Sequence, residues 1–232
     1  HLAVSVFAGD NDAPFDEEAF NIWKGIFRKN SLPVERIAKL PKKNNWWGLA
    51  TGGPCGPDTE MFYWVGPEKA PASFNDDNHL WVEIWNDVFM QFNQQDGKLE
   101  PLAQKNVDTG MGLERALAVV NGLDDNYKTE LFWPIIEKIE ELAGKKYNAS
   151  PETTRAMRIM ADHIKAAIFM LAENLKPSNT ERGYVLRRLI RRAVRYGKQL
   201  GINGVFTFKL IEPTLGIYKE VYSELTNNKD FI

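Results

Sequence analysis

Three groups of residues in this sequence have the types and spacing to do chemistry. The first is the run Asn106-Val107-Asp108-Thr109-Gly110-Met111-Gly112-Leu113-Glu114-Arg115. An ionised Asp at a strand end suits an ammonium group, and an Arg fixed on a helix suits phosphate oxygens through its fork of donors. The glycines permit close backbone approach to a ligand. A plain strand-to-helix turn would use the same residues. The second group is a set of cations between 178 and 201. At 100° per residue Arg187, Arg188, Arg191, Arg192, Arg195 and Lys198 fall within an arc of about 140° of one helix, opposite Leu186, Leu189, Ile190, Ala193, Val194 and Leu200. The third comprises single residues in polar or aromatic settings: Glu83 and Asn86 in an aromatic strand, Trp47 in a glycine-rich loop, and His163 beside Asp162. Each has a plain alternative: a lysine partner for Glu83, sheet-edge hydrogen bonding for Asn86, a core position for Trp47, a structural hydrogen bond for His163.

The elements that must position these groups follow from periodicity. Leu2 to Phe7 alternates like a strand, and Phe15, Ala19, Ile22, Trp23, Ile26 and Phe27 recur at helical spacing. Residues 41 to 59 are dense in Pro, Gly and Asn, which predicts a long loop in unusual backbone angles. Thr59 to Val65 and His79 to Asn93 are aromatic and β-branched, and with the first strand they predict an antiparallel sheet. From about residue 112 the pattern turns helical, over Leu113 to Asn121, Thr129 to Ala143, Glu152 to Asn174 and Asn179 to Leu200. Strands first and helices after predict an α+β domain over 1–122 joined to an all-helical one over 123–232.

With 232 residues, 44% of them hydrophobic and 26% charged, the chain can bury a core and is neither disordered nor fibrous. No apolar run is long enough to span a bilayer. The single cysteine, Cys55, permits no internal disulfide, which points to a reducing, cytoplasmic setting. The formal charge is only −2, yet the 178–201 stretch carries +6, leaving −8 for the rest. Crowded cations on one face are relieved by a polyanion such as nucleic acid, or by neighbouring acids on a solvated face.

The run 106–115 resembles the third signature motif of class II aminoacyl-tRNA synthetases, in the alanyl type. Gly53-Pro54-Cys55-Gly56-Pro57-Asp58-Thr59-Glu60, Glu83-Ile84-Trp85-Asn86-Asp87-Val88-Phe89-Met90-Gln91-Phe92-Asn93, Arg158 to Ile164, and Pro177 to Arg188 are similar to that family in the same order. The resemblance implies ATP-dependent activation of alanine and its transfer to tRNA(Ala), with Mg²⁺ accompanying the ATP and no zinc in this chain. It implies that Asp108 holds the α-ammonium of alanine, that Asn86, Gly110 and Trp47 line the amino-acid site, and that Arg115 grips the ATP γ-phosphate with Gly112 beside it. It implies that Asn179 reads a G·U wobble pair in the acceptor stem and that Arg187, Arg188, Arg191, Arg192 and Arg195 hold phosphates. Ser178 or Asn179 could instead cap the helix. Segments like the family's first and second motifs are not found in these residues. The chain alone is therefore expected not to activate alanine. An excised fragment, one half of an enzyme whose other chain carries those motifs, and a non-catalytic acceptor-stem binding module all remain open.

Overall fold

The computed structural model describes residues 1–74 and 77–232 and divides into two compact units, His1–Asp124 and Asp125–Ile232. The first unit is built on a sheet with strand order β2-β1-β4-β5-β6. Its strands are β1 (Leu2–Phe7), β2 (Ile37–Leu40), β4 (Gly53–Trp64), β5 (Trp81–Gln95) and β6 (Lys98–Met111); the two-residue β3 (Trp46–Trp47) pairs with β4. The pairing is mixed, not purely antiparallel: β1 runs parallel to β2, and the other pairs are antiparallel. A parallel pair needs a crossover. Helix α1 (Glu17–Lys29) supplies it, packing Phe27 and Trp23 with Val4, Ile37 and Met61 on one face of the sheet. Asp16 caps that helix by accepting from the Ala19 amide at 3.0 Å.

The glycine-rich segment is shorter as a loop than its composition predicts. Gly52 and Gly53 do take left-handed φ angles of 85° and 111°, but from Gly53 onward the chain is already β4, paired to the far end of β5. A register irregularity between Cys55 and Asp58 takes up Gly56 and Pro57, while Pro54 stays paired with Asn93. A Cβ on Gly56 would lie 2.0 Å from the Phe89 carbonyl oxygen, so only glycine lets these backbones meet. β2 and the long β6 carry too few apolar residues in alternation to declare themselves in the sequence, and β6 is exposed along most of its length.

The second unit is helical: α3 (Trp133–Ala143), α4 (Pro151–Ala172), α5 (Glu181–Leu200), α6 (Ile211–Tyr218) and α7 (Ser223–Asn227). Helix α3 starts four residues later than periodicity suggests, with Pro134 in its first turn, and Asn126–Lys128 forms a separate 3₁₀ turn ahead of it. Its core joins Ile135, Ile136 and Ile139 of α3 to Met157, Met160 and Ile164 of α4, closed by Ala193 and Leu200 of α5 and Leu210, Leu215 and Leu225 beyond. Helix α5 turns Leu186, Ala193 and Leu200 inward, and all six of its predicted cations are exposed.

Candidate functional site

Strand register gathers one set of polar residues of the first unit on one face of the sheet. Ser5 pairs with Glu60, Glu60 with Asn86, Asn86 with Gly110, and Val88 with both Asp58 and Asp108. Directly opposed residues share a face, as do residues two apart on one strand. Ser5, Asp58, Glu60, Asn86, Asp108 and Gly110 therefore form one surface opposite α1. On the α1 side, Trp23 Nε1 donates to Thr59 Oγ1 at 2.9 Å.

The floor of this surface is buried and strongly polar. Asn45, fully buried just before β3, donates through Nδ2 to Ser5 Oγ at 2.9 Å and to Asp58 Oδ1 at 2.9 Å. Asn86 Nδ2 donates to Glu60 Oε1 at 3.5 Å, and the same amide also bonds the Asp58 carboxylate. Burial pushes the Asp58 carboxyl up to about 6, against the opposing pull of Asn45 and Asn86. Burial, reinforced by the nearby Glu83 and Asp58 charges, pushes Glu60 up to about 7. Glu83 has a cation beside it: Arg115 Nη1 donates to Glu83 Oε2 at 2.9 Å and to the Glu83 carbonyl at 3.2 Å.

The raised proton affinities of Asp58 and Glu60 fix a pH dependence. Both groups bind protons more tightly folded than unfolded, so their contribution to stability is fully present below the unfolded values near 4. It is lost as pH rises through about 6 and about 7. Melting of the first unit, followed by tryptophan fluorescence because six of the seven tryptophans lie there, should therefore show stability falling between about pH 4 and 7. The fall should be about 4–6 kcal/mol, since the two groups together gain more than four tenfold steps in proton affinity on folding, each worth about 1.4 kcal/mol, with half-buried Glu60 discounted for solvent screening. A stability that rises through that window would contradict the buried carboxyl floor.

The predicted site residues fall as follows. Asp108 is exposed, inside β6 rather than at its end, and its Oδ1 accepts from the Thr109 amide at 3.0 Å. The strand runs on through Gly110 to Met111, so the two glycines do not make a turn. A Cβ at Gly110 would meet nothing within 4 Å, so packing places no demand on glycine there. Gly112 is the N-cap of α2 (Leu113–Val120), which carries Arg115 in its first turn. Glu83, opposed to Phe62 on the Glu60 face, draws the Arg115 fork to the same face as Asp108. Trp47 stands on β3 against Gly56, 38% exposed. Sequence reasoning missed Asn45, Asp58 and Glu60 as members of this surface. The signal was the i, i+2 acid pair in a strand otherwise buried, where acids are rare unless partnered.

In the second unit Asn179 is exposed ahead of α5, and its Oδ1 accepts a hydrogen bond from Arg187 Nη1. The cap position belongs to Thr180, so neither Ser178 nor Asn179 fills it; the Ser178 hydroxyl instead donates to the Thr180 carbonyl at 2.9 Å. Arg187, Arg188, Arg191, Arg192 and Arg195 all face solvent on α5, and no ion pair within 4.0 Å involves them among the described residues. His163 Nδ1 lies 3.3 Å from Asp162 Oδ2. Among the described residues no group of three or more His, Cys, Asp or Glu is arranged to hold a metal ion, and no helix is long and apolar enough to cross a membrane.

Comparison with known proteins gives this arrangement a context. The family model of class II (A) tRNA synthetases matches residues 1–232. The alanine–tRNA ligase of Borrelia hermsii is 46% identical over 237 aligned positions, covering all of this chain and 39% of that protein. The alanine–tRNA ligase of Treponema pallidum is 46% identical over 97% of the chain and 37% of its own length. That of Myxococcus xanthus is 42% identical over the whole chain and 26% of its own length. The chain thus spans between a quarter and two fifths of the length of these relatives.

Proposed function

The chain belongs to the class II tRNA synthetases, and on that premise we propose that its first unit carries part of the site that activates alanine and its second unit a surface for the tRNA acceptor stem. The observation that carries this reading is the shared sheet face. It sets an acceptor carboxylate, Asp108, beside an amide, Asn86, and draws the Arg115 guanidinium to the same side.

In the proposed reaction a carboxylate oxygen of alanine attacks the α-phosphorus of ATP, and pyrophosphate leaves as the P–O bond to it breaks. The second step moves the alanyl group from the adenylate to a ribose hydroxyl of tRNA(Ala), releasing AMP. The work of these residues is positioning and charge stabilisation. Asp108, unshielded on β6, meets the α-ammonium of alanine. Asn86 is its diagonal neighbour on the adjacent strand, about 7–8 Å away between Cα atoms by sheet geometry, a span that one amino acid bridges. The open space above Gly110 admits the substrate backbone. Trp47 bounds the side where bulk would disfavour anything much larger than a methyl. Glu83 holds the Arg115 fork ready; a γ-phosphate would compete for the same donors. Mg²⁺ would arrive with the ATP, its charge offsetting that of the phosphates.

For the acceptor stem, Arg187 occupies Asn179 Oδ1, which leaves the Asn179 NH₂ as the donor for a base edge in the shallow minor groove of A-form RNA. The arginines behind it would hold phosphates and set register.

The test of the activation site is Asp108→Ala. Losing a charged hydrogen-bond partner costs about 1.5–3 kcal/mol, so binding of L-alanine, read by titration with ¹⁵N chemical shifts of the chain, should weaken by roughly 10- to 150-fold. Asp108 is exposed and its substitution should leave the melting temperature within about 2 °C. Unchanged alanine affinity would remove the assignment.

A further inference from the structure

Beneath the proposed amino-acid site lies a set of polar groups that the reaction described above does not use: Ser5, Asn45 and Asp58, which are buried, and Glu60, which is half-buried. Holding one buried and one half-buried carboxyl side by side is costly, and such groups persist where they are hydrogen-bonded or serve a function. Their common neighbour toward the cleft is the Asn86 side chain. A side-chain amide has two faces of opposite polarity, an NH₂ that donates and an oxygen that accepts. An ionised carboxylate only accepts, so two carboxylates under Asn86 draw its NH₂ downward. Its Oδ1 then remains to meet a ligand. An amide oxygen suits an ammonium; an amide NH₂ in the same place would repel it.

We propose that Glu60, with Asp58 beside it, is a positioning residue that orients the Asn86 amide so that Oδ1, together with the Asp108 carboxylate, receives the ammonium of the amino acid. The inference rests on the reading that Asn86 meets the amino acid. Asn45 completes the device from below: it spends its own NH₂ on Ser5 Oγ and Asp58 Oδ1, fixing the Asp58 carboxylate and leaving the other side of that acid to Asn86.

Glu60 is the switchable member. The charged and titratable groups facing it are Asp58 on its own strand and Glu83 on β5, the latter balanced by Arg115 from α2; Ser5 on β1 also bonds its carboxylate. Protonated Glu60 gains an O–H donor. It then no longer demands the Asn86 NH₂ and competes for Oδ1. The amide's orientation therefore depends on pH near neutrality.

The experiment follows the Asn86 side-chain ¹⁵NH₂ signals and L-alanine affinity of the 232-residue chain between pH 5.5 and 8.5, for wild type, Glu60→Gln, Glu60→Asp and Asn86→Ala. In the wild type the Asn86 signals should titrate with a midpoint near 7, and alanine affinity should rise about tenfold through that midpoint. In Glu60→Gln both should be flat, with affinity near the acid limit, because glutamine supplies a donor at every pH. Glu60→Asp, which keeps the charge, should restore a titration. Each variant's amide spectrum reports whether it is folded. Asn86 signals insensitive to pH, or a Glu60→Gln profile like the wild type, overturns the proposal. Asn86→Ala binding alanine as the wild type does instead overturns the reading beneath it, whatever Glu60 does.

Discussion

Replacing Arg188 and Arg192 together by glutamate is expected to abolish binding of a tRNA(Ala) acceptor minihelix. Six exposed cations on α5 would neutralise up to six phosphates. Counterion release then predicts an affinity that falls by about 0.9 log unit per phosphate for each log unit of salt in duplex DNA, with RNA alike in sign. Between 50 and 200 mM salt that amounts to roughly 10³-fold. Each lost phosphate contact is a charge-assisted hydrogen bond of about 1.5–3 kcal/mol, so the double change should cost roughly 10²- to 10⁴-fold before the added repulsion is counted. The salt slope should drop from about 5 to below 4. Both residues project into solvent while Leu186, Ala193 and Leu200 hold the helix to its core, so the variant should melt as the wild type does. Filter binding or fluorescence anisotropy across a salt series reads all of this. An affinity indifferent to salt and to the substitutions would make α5 an ordinary solvated helix.

The largest effect on stability is expected from Asp125→Ala. Asp125, at the head of the helical unit and 9% exposed, accepts from three donors. Its Oδ1 takes the Tyr127 amide at 3.0 Å, and its Oδ2 takes the Tyr147 hydroxyl and Arg158 Nη2, each at 2.7 Å. Arg158 Nε closes the ring by donating to the Tyr147 oxygen at 2.6 Å. Burial, with the Asp125 hydrogen bond and charge adding to it, holds the Tyr147 hydroxyl well above its ordinary value, so it remains a donor. Alanine at 125 would strand a buried hydroxyl and a guanidinium, and breaking a buried pair in this way costs about 3–5 kcal/mol. Because the Arg158 side chain is 41% exposed and can turn to water, about 3 kcal/mol is the expected figure. For a unit of this size that lowers the melting temperature by roughly 12–24 °C, measured by far-ultraviolet circular dichroism. Asp125→Asn, which keeps acceptor oxygen but not charge, should recover part of the loss. A drop of under about 3 °C would mean that the ring contributes no more than a surface ion pair.

Neither prediction depends on knowing the sheet in detail, and the sheet is where sequence reasoning and structure part most. Helices α4 and α5 could be read within two residues of their ends because their apolar positions recur at helical spacing and Ser150 and Gly201 punctuate them. The cationic face of α5 was legible for the same reason: one helix's angular arithmetic needs no partner. β2 was not legible, since four residues with a lysine among them carry no clear alternation, and its parallel pairing depends on α1 lying across the sheet. Asp108 was placed at a strand end because glycines follow it. In fact β5 supplies Asn86 and Trp85 opposite Gly110 and Met111, and cross-strand pairing carries the strand through both glycines.

The sequence by itself determined the types of group available, their order along the chain, the helical phase of the arginines and the motif that marks the family. Local spacing encodes those things, and nothing distant is needed to express them. Tertiary structure alone decided that Ser5, Asn45, Asp58, Glu60, Asn86 and Asp108, scattered over about a hundred residues, share one face, and that Glu83 draws Arg115 to it. A one-residue slip in strand register would turn every one of a strand's side chains to the other side. The register that prevents it is set by long-range pairing, by bulges such as those after Cys55 and Met61, and by a contact only glycine allows at position 56. The raised affinity of Asp58 and Glu60 for protons has the same origin, because burial is a property of the assembled sheet and not of any stretch of chain.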